Sequence, residues 1–190
     1  MRLLKAEDHR RMPWKNGGGE TVEIVVHPPE TGLGGFDWRV SMATVAADGP
    51  FSPFPGIDRT LALLDGEGMD LAVEGHGSHR LTPASPPLAF PGDAPAAARL
   101  VAGAITDLNV MTRRIACRQR VTRLRGGVTP FAAGGRWIVL VAVAPSAVAV
   151  DGRTVSLGGR DALLLEGGAT IAGDGILDLV VIEIDAVGPS

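Results

Sequence analysis

Tyrosine is absent from this chain of 190 residues, and all aromatic residues together make up 4% of it. Proteins that hold single-stranded nucleic acid on stacked aromatic side chains need more of them. The formal charge of −3 and a pI near 5.8 also argue against a globally basic surface that would engage phosphates directly. Cysteine occurs once, at Cys117, which excludes an intrachain disulfide and a cysteine zinc site. Long apolar runs are missing too. The longest, Trp137 to Pro145, is too short to cross a bilayer as a helix. Met1-Arg2-Leu3-Leu4-Lys5-Ala6-Glu7-Asp8 carries charges where a secretory signal would need an apolar core, so a cytoplasmic location without a membrane partner is expected.

What remains is an ordinary globular composition, 45% hydrophobic and 21% charged, long enough for one large domain or two small ones. Short segments rich in apolar and β-branched residues recur along it. Thr21–Val26, Trp38–Thr44, Leu61–Leu64, Met69–Val73, Asp107–Thr112, Trp137–Ala144 and Ile176–Ile184 are examples. Asp-Gly pairs at Asp65-Gly66, Asp151-Gly152 and Asp174-Gly175 separate several of them, as hairpins require. Lys5–Arg11 is the one stretch that predicts a short helix, which Pro13 would end. The pattern predicts an all-β sandwich or barrel.

A faint internal repeat refines this. Leu61-Ala62-Leu63-Leu64 opens a block that closes on Asp107-Leu108-Asn109-Val110-Met111. Ile138-Val139-Leu140-Val141 opens a second that closes on Asp178-Leu179-Val180-Val181-Ile182. Both blocks read strand, turn, strand, glycine corner, strand, which suggests a duplicated barrel. Aligned in this way, Asp107 and Asn109 of the first copy meet Asp178 and Val180 of the second. The polar pair therefore places any site in the first copy.

Four motifs carry most of the chemistry. Met12-Pro13-Trp14-Lys15-Asn16-Gly17-Gly18-Gly19-Glu20-Thr21 sets three consecutive glycines beside an aromatic, a cation and an amide. Such a loop can aim backbone N–H groups and the Lys15 ammonium at a small anion, or it can be a tight turn into the first strand. Phe36-Asp37-Trp38-Arg39-Val40-Ser41 puts Arg39 and Ser41 on one strand face. Asp48-Gly49-Pro50-Phe51-Ser52-Pro53-Phe54-Pro55-Gly56-Ile57-Asp58-Arg59 is stiff enough to cover a barrel mouth, with Asp58 and Arg59 at the rim. Asp107-Leu108-Asn109-Val110-Met111-Thr112-Arg113-Arg114 ends the first copy.

In order and spacing, these motifs, with Phe90-Pro91-Gly92-Asp93, resemble the HutD/Ves family over the first two thirds of the chain. The resemblance implies a bicupin, two cupin-type β-barrels or sandwiches in one compact chain. We divide it at 1–112, carrying the pocket, and 113–190, structural in character. It also implies a regulatory role in histidine utilisation or stress response, through binding of a small carboxylate or imidazole-related metabolite. The residues expected to line that pocket are Lys15, Asn16, Gly17, Gly18, Arg39, Ser41, Asp58, Arg59, Asp107 and Asn109.

Neither a metal nor another cofactor is expected. Cupin metal sites need two histidines alternating on one strand, a glutamate soon after, and a third histidine later. His9, His27, His76 and His79 do not form that pattern, and His76-Gly77-Ser78-His79 reads as a glycine turn. No Gly-x-Ser-x-Gly elbow is present, and Cys117 has no histidine partner in sequence, so no catalytic residue is assigned. The alternative is a metal-independent isomerase or hydrolase. Asp107 or Asp58 would then be the general base, and Lys15 or Arg39 would stabilise developing charge. The six arginines from Arg113 to Arg125 read as a solvated edge strand, with nucleic-acid contact or subunit pairing in a homodimer as the sharper alternatives. No direct contact with nucleic acid is expected.

Overall fold

A computed structural model describes all residues except 15, 16, 33, 128, 129, 174, 176, 189 and 190. Lys15 and Asn16 therefore lie outside the described residues. In chain order the first strands are β1 (Arg2–Leu4), β2 (Arg10–Pro13), β3 (Gly19–His27), β4 (Trp38–Val45), β5 (Gly49–Pro50) and β6 (Ile57–Asp65). There follow β7 (Met69–Val73), β8 (Gly77–Leu81), β9 (Leu88–Pro91), β10 (Ala96–Leu100), β11 (Ile105–Arg113) and β12 (Cys117–Gly126). The last are β13 (Phe131–Ala133), β14 (Trp137–Ala142), β15 (Ser146–Val150), β16 (Arg153–Leu157), β17 (Ala162–Glu166), β18 (Ala169–Ala172) and β19 (Leu177–Ala186). No helix among the described residues is long and apolar enough to cross a membrane.

The chain divides into an N-terminal unit, Arg10–Cys117, and a C-terminal unit made of Met1–His9 with Arg118–Ser190. The first nine residues join the latter because β1 pairs antiparallel with β17. The expected helix over Lys5–Arg11 does not form. A single turn of 3-10 helix spans Ala6–Asp8, and Arg10–Pro13 extends instead to pair with β3. Asp161 pins the segment by accepting from the Lys5 ammonium at 2.8 Å and the Ala6 N–H at 2.9 Å.

In the N-terminal unit a six-stranded sheet, β2-β3-β4-β11-β6-β9, faces a four-stranded sheet, β5-β10-β7-β8. Side chains alternate along each strand, so every second residue enters the space between the sheets. Leu61, Leu63 and Ile105 from the large sheet meet Met69, Leu71, Val73 and Ala98 from the small one. A smaller apolar group, Phe36, Ile57 and Met111 with Val26 and Phe54, forms a separate cluster on the same sheet. The C-terminal unit repeats the arrangement with β1-β17-β14-β19-β12 facing β13-β18-β15-β16. Its interior is filled by Ile138, Leu140, Leu163, Leu179 and Val181 against Val148, Val150 and Ile171.

The duplication is real at the level of topology, since β11-β6-β9 matches β19-β14-β17 and β10-β7-β8 matches β18-β15-β16. The residue alignment expected for the last strand is corrected, however. Asp107 pairs with Leu63, and Leu140, the counterpart of Leu63, pairs with Val181. Val181 therefore corresponds to Asp107, and Glu183 to Asn109. Asp178 sits on the opposite face, where Arg123 grips it at 2.8 Å. A β-strand offset by an odd number of residues inverts every side chain. The second copy therefore retains a buried acid at the position of Asn109, Glu183, which accepts from the Gly134 N–H at 2.7 Å.

Candidate functional site

Three neighbouring strands of the large sheet carry the polar interior. Met111 on β11 pairs with Arg39 of β4 on one side and with Arg59 of β6 on the other, and Arg59 pairs in turn with Phe90. Arg39 and Arg59 are thus two strands apart in one row, a backbone separation of about 10 Å. The next row holds Ser41 and Asn109, and the one below it Ala43 and Asp107. On β3, Thr21 pairs with Ala43 and Glu23 with Ser41, so Glu23 faces inward just ahead of a bulge between Glu23 and Val25. Its carboxylate accepts from Arg39 Nε at 2.7 Å.

A cavity of about 720 Å³ opens along this face, lined among others by Gly18, Thr21, Arg39, Ser41, Arg59, Asn109 and Met111. Its apolar wall comes from Trp14, Phe51 and Phe54. The stiff proline segment therefore supplies wall residues, held by the Phe51 N–H on Ala96 and the Phe54 N–H on Gly92. Trp14 is oriented by its indole N–H, which donates to Thr21 Oγ1 at 2.8 Å.

Both guanidinium groups are buried, Arg39 at 3% and Arg59 at 5% exposure. The Arg59 guanidinium lies 4.5 Å from the Phe51 ring centre and 5.7 Å from that of Phe90. Its Nε donates to Asn109 Oδ1 at 2.8 Å, and its Nη2 donates to the same oxygen. Asn109 Nδ2 donates in turn to Asp107 Oδ1 at 2.6 Å. The orientation of the Asn109 amide follows from these partners, because an arginine can only donate and an ionised carboxylate can only accept. Asp107 Oδ2 and Arg39 Nη2 are buried without a hydrogen-bond partner among the described residues.

Burial pushes the Asp107 carboxyl up to about 6, against the pull of Arg59 and the Asn109 hydrogen bond. Burial lowers Arg59 to about 10; Asp107 opposes that shift and Arg39 adds to it. Arg59 stays charged at neutral pH.

Of the residues expected from sequence, Gly18, Arg39, Ser41, Arg59 and Asn109 line this cavity, and Asp107 is hydrogen-bonded to Asn109. Asp58 does not join them. It alternates with Arg59 along β6, and its carboxylate accepts from Arg114 at 2.7 Å. Gly17 is a turn residue with φ +70°, and its N–H donates to the Trp14 carbonyl at 3.0 Å. Gly19 is needed for space, since a Cβ there would lie 2.1 Å from the Thr44 carbonyl oxygen. The described glycines thus make a tight turn, and Gly17 does not present its N–H to an anion.

The arginine run divides as well. Arg118 and Arg120 are exposed on the edge strand β12. Arg113 donates to the Phe36 and Gly34 carbonyls, Arg114 bridges Asp58 and Asp93, and Arg123 is engaged by Asp178. Sequence reasoning missed Glu23, Trp14, Phe51 and Met111 as members of the site. An acid sharing one face of β3 with Thr21, beside a strand whose Arg39 and Ser41 share a face, was the readable signal for Glu23.

The inward donors do not suit a metal ion. Guanidinium cations have no lone pair to offer. Among the described residues no group of three His, Cys, Asp or Glu side chains could share an ion. His27 stacks on Trp38 with ring centres 5.5 Å apart, His76 lies in the turn before β8, and His79 lies within that strand.

Two facing antiparallel sheets, repeated twice, with a polar cavity in the first copy, define a cupin-type all-β protein. A cupin 2 conserved barrel domain protein from Leptotrichia buccalis shares this fold at a TM-score of 0.55 and 10% identity, over 86% of this chain and 88% of that one. The HutD family model matches residues 6–178, and the chain belongs to the HutD family. It is 38% identical over 174 residues to an uncharacterised 21.2 kDa protein in the hutC 3′ region of Pseudomonas putida, covering 91% of this chain and 90% of that protein. It is 40% identical over 143 residues to protein Ves of Citrobacter koseri, covering 68% and 73%. The structure of HutD from Pseudomonas fluorescens SBW25, in a formate condition, superposes with a TM-score of 0.83 at 34% identity, over 98% of this chain and 99% of that one.

Proposed function

We propose that the N-terminal unit is a metal-free binding module for a small carboxylate or imidazole-related metabolite. Its role would be regulatory, in histidine utilisation or stress response. One observation carries the reading: Arg39 holds a buried Nη2 without a hydrogen-bond partner among the described residues, at the wall of the cavity that Arg59 also lines. A buried donor of a charged group left unsatisfied costs at least about 1–3 kcal/mol. A carboxylate in the cavity removes that cost. The volume suits a small metabolite, and Trp14, Phe51 and Phe54 offer its body an apolar wall. Similarity to a protein in a hutC 3′ region, to a HutD and to a Ves protein is in keeping with the two roles that the family resemblance implies. The acidic pI favours an effect exerted through the metabolite in the cytoplasm rather than through DNA contact.

The isomerase or hydrolase alternative has less behind it. Asp58 is engaged by Arg114, and Asp107 is fully buried behind Asn109, out of contact with the cavity. The test is a thermal-shift panel of urocanate, formylglutamate and their uncharged amides, with ultraviolet absorbance followed for turnover. Stabilisation by the acids, none by the amides and no absorbance change is the expected result. Stabilisation by neither sinks the binding reading, and turnover favours the enzyme.

A further inference from the structure

Arg59, Asn109 and Asp107 form a chain of hydrogen bonds from the cavity wall into the sealed interior. Asn109 has little freedom in it. Its oxygen receives two N–H groups of Arg59 and its nitrogen serves Asp107, so the carboxylate fixes which end of the amide meets the guanidinium. Asp107 is 0% exposed, and its second oxygen has no partner among the described residues. The charged groups facing this region are few. Arg59 on β6 and Arg39 on β4 are buried, Glu23 on β3 of the same sheet is half-buried, and the exposed Asp48 also lines the cavity. The opposing sheet contributes Met69, Leu71, Val73 and Ala98, all apolar.

The charge count then has a consequence. With Asp107 ionised, two arginines and two carboxylates cancel. An anion entering beside the guanidiniums leaves the buried cluster one negative charge in excess, in a medium that screens poorly. Asp107 is the group that can relieve this, because its ionised form is stabilised chiefly by Arg59, which the ligand now engages.

Resting on the binding function proposed above, we infer that Asp107 is a proton-linked positioning residue: it sets Arg59 through Asn109, and anion binding in the cavity is accompanied by uptake of a proton from solvent onto Asp107. The ligand does not touch Asp107. The proton adds to one carboxylate oxygen and no covalent bond in the ligand changes. Burial already raises the free carboxyl to about 6, and a bound anion raises it further. Affinity is therefore level below that pH, and above it falls by up to about tenfold per pH unit until the bound form titrates.

Isothermal titration calorimetry with formylglutamate tests this, because its carboxylates stay ionised from about pH 5.5 to about pH 8. Urocanate is unsuitable, since its own imidazole titrates there. Wild-type protein titrated at neutral pH in two buffers of different ionisation enthalpy is expected to take up a substantial fraction of one proton, and its Kd is expected to rise with pH. Asp107→Asn, a neutral isostere, is expected to bind without pH dependence and at least as tightly as wild type near pH 8. A merely structural role would weaken binding at every pH alike.

Formylglutamate that binds with no proton uptake and a flat pH profile overturns the inference and leaves the binding function standing. No binding at any pH overturns both. If Asp107→Asn does not fold, the two-buffer measurement on wild type decides alone.

Discussion

The Arg59 guanidinium sits 4.5 Å from the centre of the Phe51 ring, and Phe51 belongs to the proline segment that helps wall the cavity. A cation desolvated against an aromatic face gains about 2 kcal/mol. Phe51→Ala is expected to lose about 1–2 kcal/mol of stability in urea denaturation, and Phe51→Leu to recover the packing part of that loss. Equal losses in the two variants would show that the ring's attraction for Arg59 contributes nothing.

Asp107 gives the fold a pH dependence of known sign. Its folded value of about 6 lies above the ordinary 3.8. Between about pH 4 and about pH 6 the folded protein keeps a proton that the unfolded chain has lost. This contribution is complete below the unfolded value and is lost as the pH rises through the folded one. It amounts to about 2–3 kcal/mol. Asp107→Asn is expected to remove it, so the stability difference between wild type and variant should move in the variant's favour across that window and then level off. A difference constant with pH would mean that Asp107 titrates normally.

Gly19 tests the glycine turn. Its missing side chain leaves room for the Thr44 carbonyl, 2.1 Å from where a Cβ would stand. Backbone cannot yield as a side-chain tip can, so Gly19→Ala is expected to cost about 1–3 kcal/mol. Gly32→Ala, with nothing within 4 Å, should stay within about 0.5 kcal/mol of wild type. Similar melting temperatures for the two would remove the steric argument.

Much of the architecture could be read from the chain because its long strands are half or fully buried. Met69–Val73 has the same limits in the expectation and in the structure, and β4, β6 and β11 differ by a few residues at their ends. The short strands β8, β10 and β16 escaped notice because Gly77–Leu81, Ala96–Leu100 and Arg153–Leu157 are polar or alanine-rich and earn their place by pairing with a neighbour. The Lys5–Arg11 stretch was misread because local composition cannot show that Arg10 pairs with Glu23. Within the site, Arg39, Ser41 and Asn109 were accessible through simple alternation. Asp58 was misplaced because adjacent residues of a strand point to opposite faces, and Arg59 took the inward one. The face of Glu23 follows from the same alternation, two residues after Thr21, but the strand pairing that brings it to Arg39 does not show in the sequence.

The central claim is that one cavity, walled by Arg39, Arg59 and Asn109, recognises a small carboxylate. It is tested most directly by the Kd of formylglutamate for wild type, Arg39→Ala, Asn109→Ala and Arg118→Ala, measured by calorimetry on protein shown to be folded. Removing a buried partner of a charged ligand costs about 2–5 kcal/mol. Both cavity variants should therefore bind tens to thousands of times more weakly, while the exposed Arg118→Ala control binds as wild type does. Undiminished affinity in both cavity variants would contradict the account.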